Sequence, residues 1–295
     1  MADFRSKRSK LPPEAFAIAP EVEPEPSDLI DEETWTSLVY LPDDVSIRTS
    51  DHHGTLLKQA NDAWGWWVSL VLDIQSLVEV PRDSSLSLSS MLVTDELQAS
   101  IFAMMTGFYR QSISALRSAI EALVMGVYFH KFPDAEKFKR WADGDLGEQV
   151  SFNTAKSRLA RTKPFSLFNK QPGEITSLMK QDGWVDFLYS TFSGLSHGRP
   201  FYVNRFGDRI PAMNVELWDG SNGPIYEPKS VRLWNAYYFD VCLLALLLVG
   251  LAEPRLIKLE RPQDIPYGVF LDRLLSYHLY PLPLARAIAQ YLLSQ

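Results

Sequence analysis

The stretch QASIFAMMTGFYRQSISALRSAIEALVMGVYFHK, residues 98–131, decides how the rest of the chain can fold. Between its ends it carries only three charged side chains, those of Arg110, Arg117 and Glu121. At about 100° per residue these three fall within an arc of about 40°, with Ser114 beside them, and the remaining surface is apolar or small. A helix that is apolar nearly all round is a buried one. The stretch therefore predicts a central helix whose polar stripe is either paired or faces a polar cavity.

Other parts of the chain predict helices that pack around this one. Apolar residues recur at helical spacing in residues 55–80, 184–195, 229–252, 267–279 and 283–294. The Ser-rich residues 82–90 are expected to form a loop, with Thr94 as the N-cap of the central helix. Residues 201–228 are rich in Gly, Pro and Asn, which predicts an irregular excursion with a small hairpin. The predicted fold class is all-α, a bundle of about four long helices with additional short helices.

The first 45 residues differ from the rest in composition. The basic MADFRSKRSK precedes a run rich in Pro and Glu, which is typical of a disordered or extended tail. An alternative is that a partner protein binds this tail through Trp35, Leu38 and Tyr40. Residues 46–295 are expected to form a single helical-bundle domain. A sizeable core is available, because 46% of the residues are hydrophobic and they include 16 Phe, 12 Tyr and 8 Trp.

Charge and cysteine content indicate the compartment. The net charge of −7 argues against indiscriminate binding of nucleic acid or acidic membranes, but it leaves room for a local basic patch. The single cysteine, Cys242, cannot form a disulfide within the chain, which favours a reducing compartment. The longest apolar run, residues 241–252, is shorter than the roughly 20 residues that a membrane span needs. With no secretory signal at the N-terminus, the sequence predicts a cytoplasmic protein without a membrane segment.

Polar residues on three predicted helices are candidates for a shared site. Adjacent helices of a bundle present core side chains to each other at matching heights, so the central polar stripe can meet polar groups of its neighbours. Ser193 and His197 lie on one stripe of the helix that begins near residue 184, and Asp240 is the only acid of the last long helix. His197 near a helix C-terminus would be stabilised in its cationic form, which suits a proton donor.

Two interpretations of this polar stripe stay open. Arg117 and Glu121 are spaced i, i+4 and can pair with each other, which leaves Arg110 for Asp240 or for a ligand phosphate, near Ser114. In the alternative interpretation the same charges form a buried network that only fixes the register of the helices.

A basic run follows the central helix. Residues 151–171 contain no acid but include Lys156, Arg158 and Arg161, with Phe side chains among them. The run predicts an RNA-facing surface on which Lys and Arg contact phosphates and bases stack on Phe. The alternative is a solvated helix and loop whose Phe residues pack inward.

A long helix with the sequence YRQSISALRSAIE, followed by a second helix that ends in SHG, resembles bacterial families of the HEPN-like helical-bundle superfamily. Those families carry an Arg-x-x-x-Glu helix and a second helix that ends in Ser-His-Gly or a related motif. The matching residues are Arg117, Glu121 and His197, with Arg110 adjacent, and the similarity covers roughly residues 90–200.

The resemblance implies a metal-independent ribonuclease, often a homodimer, in a toxin–antitoxin or anti-phage defence system of bacteria. In that chemistry a His transfers a proton and an Arg neutralises charge on the phosphorane. Active members carry the Arg with four to six residues between it and the His. Here Phe192, Thr191 and Ser190 stand at those positions before His197. Binding of RNA or a nucleotide is thus the firmer expectation, and cleavage is expected only from the resemblance.

Two function hypotheses follow. In the first, the chain binds RNA or a nucleotide: Arg110 and Arg117 hold phosphate, His197 transfers a proton and Glu121 orients an Arg. In the second, the chain is a non-catalytic interaction or sensor module in which these residues form a structural network.

No cofactor and no metal site is expected. The chain has no Walker-type loop, no dinucleotide-binding Gly pattern and no metal-ligand cysteine spacing. The triplet Asp51-His52-His53 resembles a phosphoesterase motif, but no apolar strand precedes it, so it is interpreted as a chance loop motif.

Overall fold

The computed structural model describes residues 31–77, 84–144, 150–170, 177–196, 201–203, 209–211, 224–259, 266–277 and 282–295. Within them the helices are α1 (Glu32–Trp35), α2 (Leu41–Ser76), α3 (Ser85–Met105), α4 (Tyr109–Lys131), α5 (Ala135–Ala142), α6 (Phe152–Leu159), α7 (Trp184–Ser196), α8 (Pro228–Ala252), α9 (Tyr267–Tyr277) and α10 (Pro283–Leu293). A π-helical turn, Thr36–Tyr40, joins α1 to α2, and 3₁₀ helices lie at Phe165–Phe168 and Pro254–Lys258. The fold class is all-α, as the sequence predicts.

Helix α4 lies at the centre of the bundle and contacts α3, α6, α7 and α8. Most of its side chains are apolar or small and are buried, as the sequence pattern requires. Helices α3 and α4 approach closely at Gly126, where a Cβ atom would overlap the hydroxyl of Ser89. Helix α8 is also buried on most sides, and burial raises the pKa of its Cys242 thiol to about 12, so this thiol is an unreactive core group.

The prediction of one helix over residues 98–131 is wrong at a single point. The chain forms two helices, α3 and α4, which meet at a turn around Gly107. Gly107 has a φ of +85°, a left-handed conformation that glycine adopts without strain. A Cβ atom there would lie 3.0 Å from the carbonyl oxygen of Ile225. The central helix is therefore interrupted where the segment before α8 packs against it.

The Ser-rich residues predicted as a loop form the first turns of α3 instead. Ser84 caps this helix, because its hydroxyl accepts the N–H of Ser87 at 3.3 Å. Thr94 is consequently not an N-cap; its hydroxyl donates to the Ser90 carbonyl at 2.9 Å inside the helix. The serines on the inner face of these turns are small enough to be buried, and this packing overrides their weak helix preference.

Helical structure begins before the predicted end of the N-terminal tail. The Asp31 carboxylate caps α1, and α1, the π-helical turn and α2 follow one another without interruption. Residues 32–45 are therefore helical, while residues 1–30 lie outside the described part of the chain. The apolar side chains predicted to bind a partner protein are exposed here: Trp35 (53%), Leu38 (69%) and Tyr40 (58%). Binding of a partner protein to them stays a prediction.

Between α7 and α8 the described residues include two short strands, β1 (Phe201–Val203) and β2 (Arg209–Pro211). They pair antiparallel, with Tyr202 opposite Ile210. Each strand has only three residues, so the predicted small hairpin is not borne out as an element of the fold.

Helices α4 and α8 are long and apolar enough to span a membrane, with mean hydropathies of 1.3 and 1.8. Most of each apolar window is buried inside the protein, 78% in α4 and 83% in α8. Core helices of globular proteins have the same properties. The apolar character of these helices is thus weak support for a membrane location, and the cytoplasmic location stays a prediction.

Candidate functional site

The structure brings three of the predicted site residues together between α4 and α7. The Arg117 Nε donates to the Ser193 hydroxyl at 2.8 Å, and its Nη2 donates to the Tyr189 hydroxyl at 2.7 Å. The same Nη2 lies 4.0 Å from the Glu121 Oε2, which also accepts the Tyr189 hydroxyl proton at 3.3 Å. We call these four residues the Arg117 cluster. The i, i+4 pairing of Arg117 with Glu121 is thereby confirmed.

Tyr189 is the member of the Arg117 cluster that sequence analysis missed. Its ring stacks on Phe152 of α6, with centroids 4.1 Å apart and an interplanar angle of 18°. Burial, followed by the negative charge of Glu121, raises the pKa of the Tyr189 hydroxyl, which therefore stays protonated as a donor. Its spacing from Ser193, i and i+4 on one helix, is the signal that could have identified it.

The Arg117 cluster reaches the protein surface, but its guanidinium group is already bonded to other side chains of this protein. The side chains of Arg117 and Glu121 are 27% and 43% exposed. Nevertheless, Nε and Nη2 of the guanidinium bond to oxygens of this protein, and among the described residues only Nη1 has no partner. An arginine held in this way braces α4 against α7, and a carboxylate already offsets part of its charge.

The remaining residues predicted for this site are not brought to it by any described contact. Ser114 is half-buried on α4 and makes no described hydrogen bond to Arg117. Arg110 and Asp240 are also half-buried, and neither is without a partner. His197 lies outside the described residues, so its proposed role stays a prediction.

The prediction that Lys156 faces RNA is wrong. Lys156 is buried and forms an ion pair with Asp186 of α7. The other carboxylate oxygen of Asp186 accepts the N–H of Asp182 at 3.0 Å. Lys156 lies on the inner face of α6 together with Phe152 and Leu159, at helical spacing, and its ammonium takes a partner because an unpaired buried charge is costly.

The predicted stacking of bases on Phe side chains of this run is also wrong. The three rings belong to the core, each less than a tenth exposed: Phe152, Phe165 and Phe168. The alternative interpretation, that these Phe residues pack inward, is the correct one.

Arg158 and Arg161, in contrast, lie on the surface as predicted. They line a shallow groove with Asn153, Thr154 and Ser157, all on or just after α6. Hydroxyl and amide groups next to two guanidinium groups can hydrogen-bond the oxygens of a phosphate.

The orientation of Arg158 is fixed by aromatic residues at the end of α4. Its Nη1 donates to the Tyr128 hydroxyl at 3.1 Å, and its guanidinium carbon lies 4.0 Å from the ring centroid of Phe132. Arg158 also borders a second depression, which is lined by Lys131 and by Lys137, the latter paired with Asp134 at 3.1 Å. Arg158 is thus the shared edge of two adjoining depressions, which we call the Arg158 surface.

A second polar cluster, which sequence analysis missed, lies where the segment before α8 meets α2. His52 and His53, interpreted as part of a chance loop motif, are instead within α2. The Tyr226 hydroxyl lies 3.1 Å from the His53 Nε2, and the rings of His52 and Tyr226 stack with centroids 5.5 Å apart. No sequence motif joins residues 173 positions apart, so only the fold reveals this contact.

At the ends of α4 and α8, a buried acid joins two basic side chains. The Glu253 carboxylate accepts two bonds from Arg255, each of 2.7 Å, and this pairing lowers the pKa of Glu253. The His130 Nε2 lies 3.6 Å from Glu253. Burial nevertheless lowers the pKa of His130, so this histidine is a neutral neighbour of the ion pair at neutral pH.

Comparison with known proteins adds no assignment: no protein-family model, curated protein or solved structure matches the chain. Within the described residues, no group of three or more His, Cys, Asp or Glu side chains could hold a metal ion.

Proposed function

We propose that this chain is a helical protein that binds RNA or a nucleotide, and that it does so at the Arg158 surface. The observation that carries the proposal is the position of Arg158 and Arg161 beside three hydrogen-bonding side chains of the same groove. This surface is a local basic patch on a chain whose net charge is −7. Binding there would depend on the local positive charge of this surface rather than on the net charge of the chain.

The chemistry of this surface suits a phosphate group. Guanidinium groups bind phosphate through two parallel N–H donors, and Asn, Thr and Ser side chains add neutral donors. Because Tyr128 and Phe132 hold the Arg158 side chain, less conformational entropy is lost when a ligand binds it. Lys131 extends the positive charge beyond one phosphate, as a nucleic-acid backbone requires.

A second candidate function is a non-catalytic interaction or sensor module. The observation in its favour is the Arg117 cluster, whose guanidinium bonds to Ser193, Tyr189 and Glu121 of the same chain. Catalysis by Arg117 and His197 in a bacterial defence or toxin–antitoxin setting is supported by the resemblance to HEPN-like families alone.

The test is fluorescence anisotropy with a labelled single-stranded RNA of about 20 nucleotides, long enough to cover one binding site. The variant Arg158→Gln/Arg161→Gln should bind at least about tenfold more weakly than the wild type, because two phosphate contacts are lost. The control is Arg286→Gln, which removes an exposed arginine of α10 and should leave the affinity unchanged. Competition by ATP would show that a nucleotide is sufficient. Equal affinity of the double variant and the wild type would contradict the proposal.

A further inference from the structure

The three Phe rings of the basic run 151–171 are buried, but a flat group beside them does reach solvent, the guanidinium of Arg158. Its carbon lies 4.0 Å from the ring centroid of Phe132. At this distance the guanidinium carbon itself lies against the ring, in the stacked arrangement that arginine adopts on aromatic faces. One face of the guanidinium is therefore covered by Phe132, and its exposed part is the opposite face and the edge.

The ring behind Arg158 is held in place by the end of α4. The Phe132 N–H donates to the Tyr128 carbonyl at 2.8 Å, and the two rings lie 5.2 Å apart, that of Tyr128 being buried. The Tyr128 hydroxyl in turn accepts a hydrogen bond from the Arg158 Nη1 at 3.1 Å. Because guanidinium donors lie in the plane of the group, this bond and the ring together fix both its position and its tilt. A flat group that is fixed before binding loses little entropy when a base stacks on it.

The exposed face of the Arg158 guanidinium borders the groove of α6. Phe132 lines the second depression and not the groove, so the face turned away from Phe132 is the one on the groove side. Asn153 lines the same groove, and its amide carries both a donor and an acceptor, the pair that the edge of a base can bond. Arg161 adds donors for a phosphate oxygen. One groove thus combines a stacking plane, an amide and a phosphate-binding group.

We propose that the Arg158 surface binds single-stranded RNA through an unpaired base, which stacks on the exposed face of the Arg158 guanidinium while Arg161 holds a neighbouring phosphate. This inference rests on the proposed function, and it names the form of RNA that the surface takes. The described contacts of Arg158 engage Nη1 and one face, so Nε and Nη2 at its edge can still bond a phosphate. The bases of a duplex are already stacked and paired, so they present no face to Arg158.

Fluorescence anisotropy with three labelled ligands tests this inference. The ligands are a single-stranded oligoadenylate of about 20 nucleotides, a strand of the same length made of abasic ribose phosphates, and the duplex of the oligoadenylate with oligouridylate. A surface that holds phosphates alone would bind the abasic strand as tightly as the oligoadenylate, and the duplex at least as tightly. With a base stacked on Arg158, we expect the wild type to bind the oligoadenylate at least about fivefold more tightly than either of the other ligands.

The variant Arg158→Lys separates the plane of this side chain from its charge. It should bind the oligoadenylate no more tightly than the abasic strand, while its affinity for the abasic strand stays close to that of the wild type because the charge is kept. Arg161→Lys makes the same exchange in the same groove and should keep the preference for the oligoadenylate, since Arg161 contacts only phosphate. Phe132→Leu removes the ring behind Arg158 and should weaken the preference. Thermal melts check that each variant is folded.

The comparison of the three ligands on the wild type does not depend on the folding of any variant. If the wild type binds the oligoadenylate and the abasic strand equally, the inference is overturned while RNA binding stands. The same holds if Arg158→Lys keeps the preference for the oligoadenylate, or if Arg161→Lys loses it to the same extent as Arg158→Lys. If the wild type binds none of the three ligands, the inference falls together with the proposed binding of RNA.

Discussion

Lys156 and Arg158 lie two residues apart on α6, belong to the same basic run of the sequence, and do opposite things. Lys156 faces inward, where it is buried and paired with Asp186 of α7. Arg158 faces outward, where it lines the groove shared with Arg161 and contacts Phe132. On a helix, two positions apart means roughly opposite faces, so a charge run in sequence becomes one structural ion pair and one surface patch.

The difference shows that the role of a cationic side chain depends on which groups of the protein contact it. Lys156 has a carboxylate from another helix within reach, and its charge holds α6 to α7. Within the described ranges, Arg158 meets a phenol and an aromatic ring but no carboxylate, so these groups orient it without neutralising its charge. Arg117 resembles Lys156 in this respect, because Glu121 and two hydroxyls engage it. Ligand binding is therefore expected from Arg158 and structural support from the other two.

The largest effect is expected from Lys156→Met, which keeps the length of the side chain but removes its charge. The Asp186 carboxylate would lose its partner while it stays partly buried, which costs about 3 kcal/mol of unfolding free energy. Urea denaturation measures this loss. In the variant Lys156→Met/Asp186→Leu most of the stability should return, since no charge is then left unpaired. A Lys156→Met protein as stable as the wild type would show that this ion pair does not hold the two helices.

A smaller loss is expected from Arg117→Ala, which removes the hydrogen bonds to Ser193 and Tyr189 and the contact with Glu121. We expect about 2 kcal/mol, because charge-assisted bonds are lost from a half-exposed site. Arg117→Lys keeps the charge but not the planar fork, so most of the loss should persist. RNA affinity of the folded variants should not change. A variant that keeps its stability and loses affinity would reassign Arg117 to ligand binding.

The sequence predicts the part of this architecture that depends on local pattern. The apolar surface of residues 109–131 identifies the central helix, and the i, i+4 spacing of Arg117 and Glu121 predicts their pairing. It does not predict the turn at Gly107, because glycine there is required by the close approach of Ile225, which is distant in sequence. Nor does it separate Lys156 from Arg158, since that depends on where α7 places Asp186.

The polar cluster around Tyr226 was missed for the same physical reason. Its members come from two segments that share no motif, and the contact arises only because Tyr109 fixes the backbone beside Tyr226. Sequence periodicity identifies which face of a helix is buried, but it carries no information on which distant residue covers that face.

His130 is a third inward-facing basic group. Its titration should change the free energy of unfolding by less than Lys156→Met or Arg117→Ala does. Burial lowers its pKa, so the unfolded chain binds this proton at a higher pH than the folded protein does. The stability contribution is therefore complete above the unfolded pKa of about 6.5 and is lost as the pH falls through the folded value. The melting temperature of His130→Gln should fall less steeply than that of the wild type as the pH is lowered from neutral to mildly acidic. Identical slopes would show that His130 does not titrate differently on folding.

The smallest effect on stability is expected from Arg158→Gln/Arg161→Gln, on the face of α6 opposite to Lys156. Both side chains are exposed and neither pairs with a carboxylate in the described part of the chain, so their removal should cost at most about 1 kcal/mol, chiefly from the lost contacts of Arg158 with Tyr128 and Phe132. The same variant should reduce the slope of log affinity against log salt by about 1.4, because each phosphate contact on single-stranded RNA contributes about 0.7. Lys156→Met should leave that slope unchanged. An equal reduction by both variants would mean that Lys156 and Arg158 share one electrostatic role, and the contrast between the two faces of α6 would not hold.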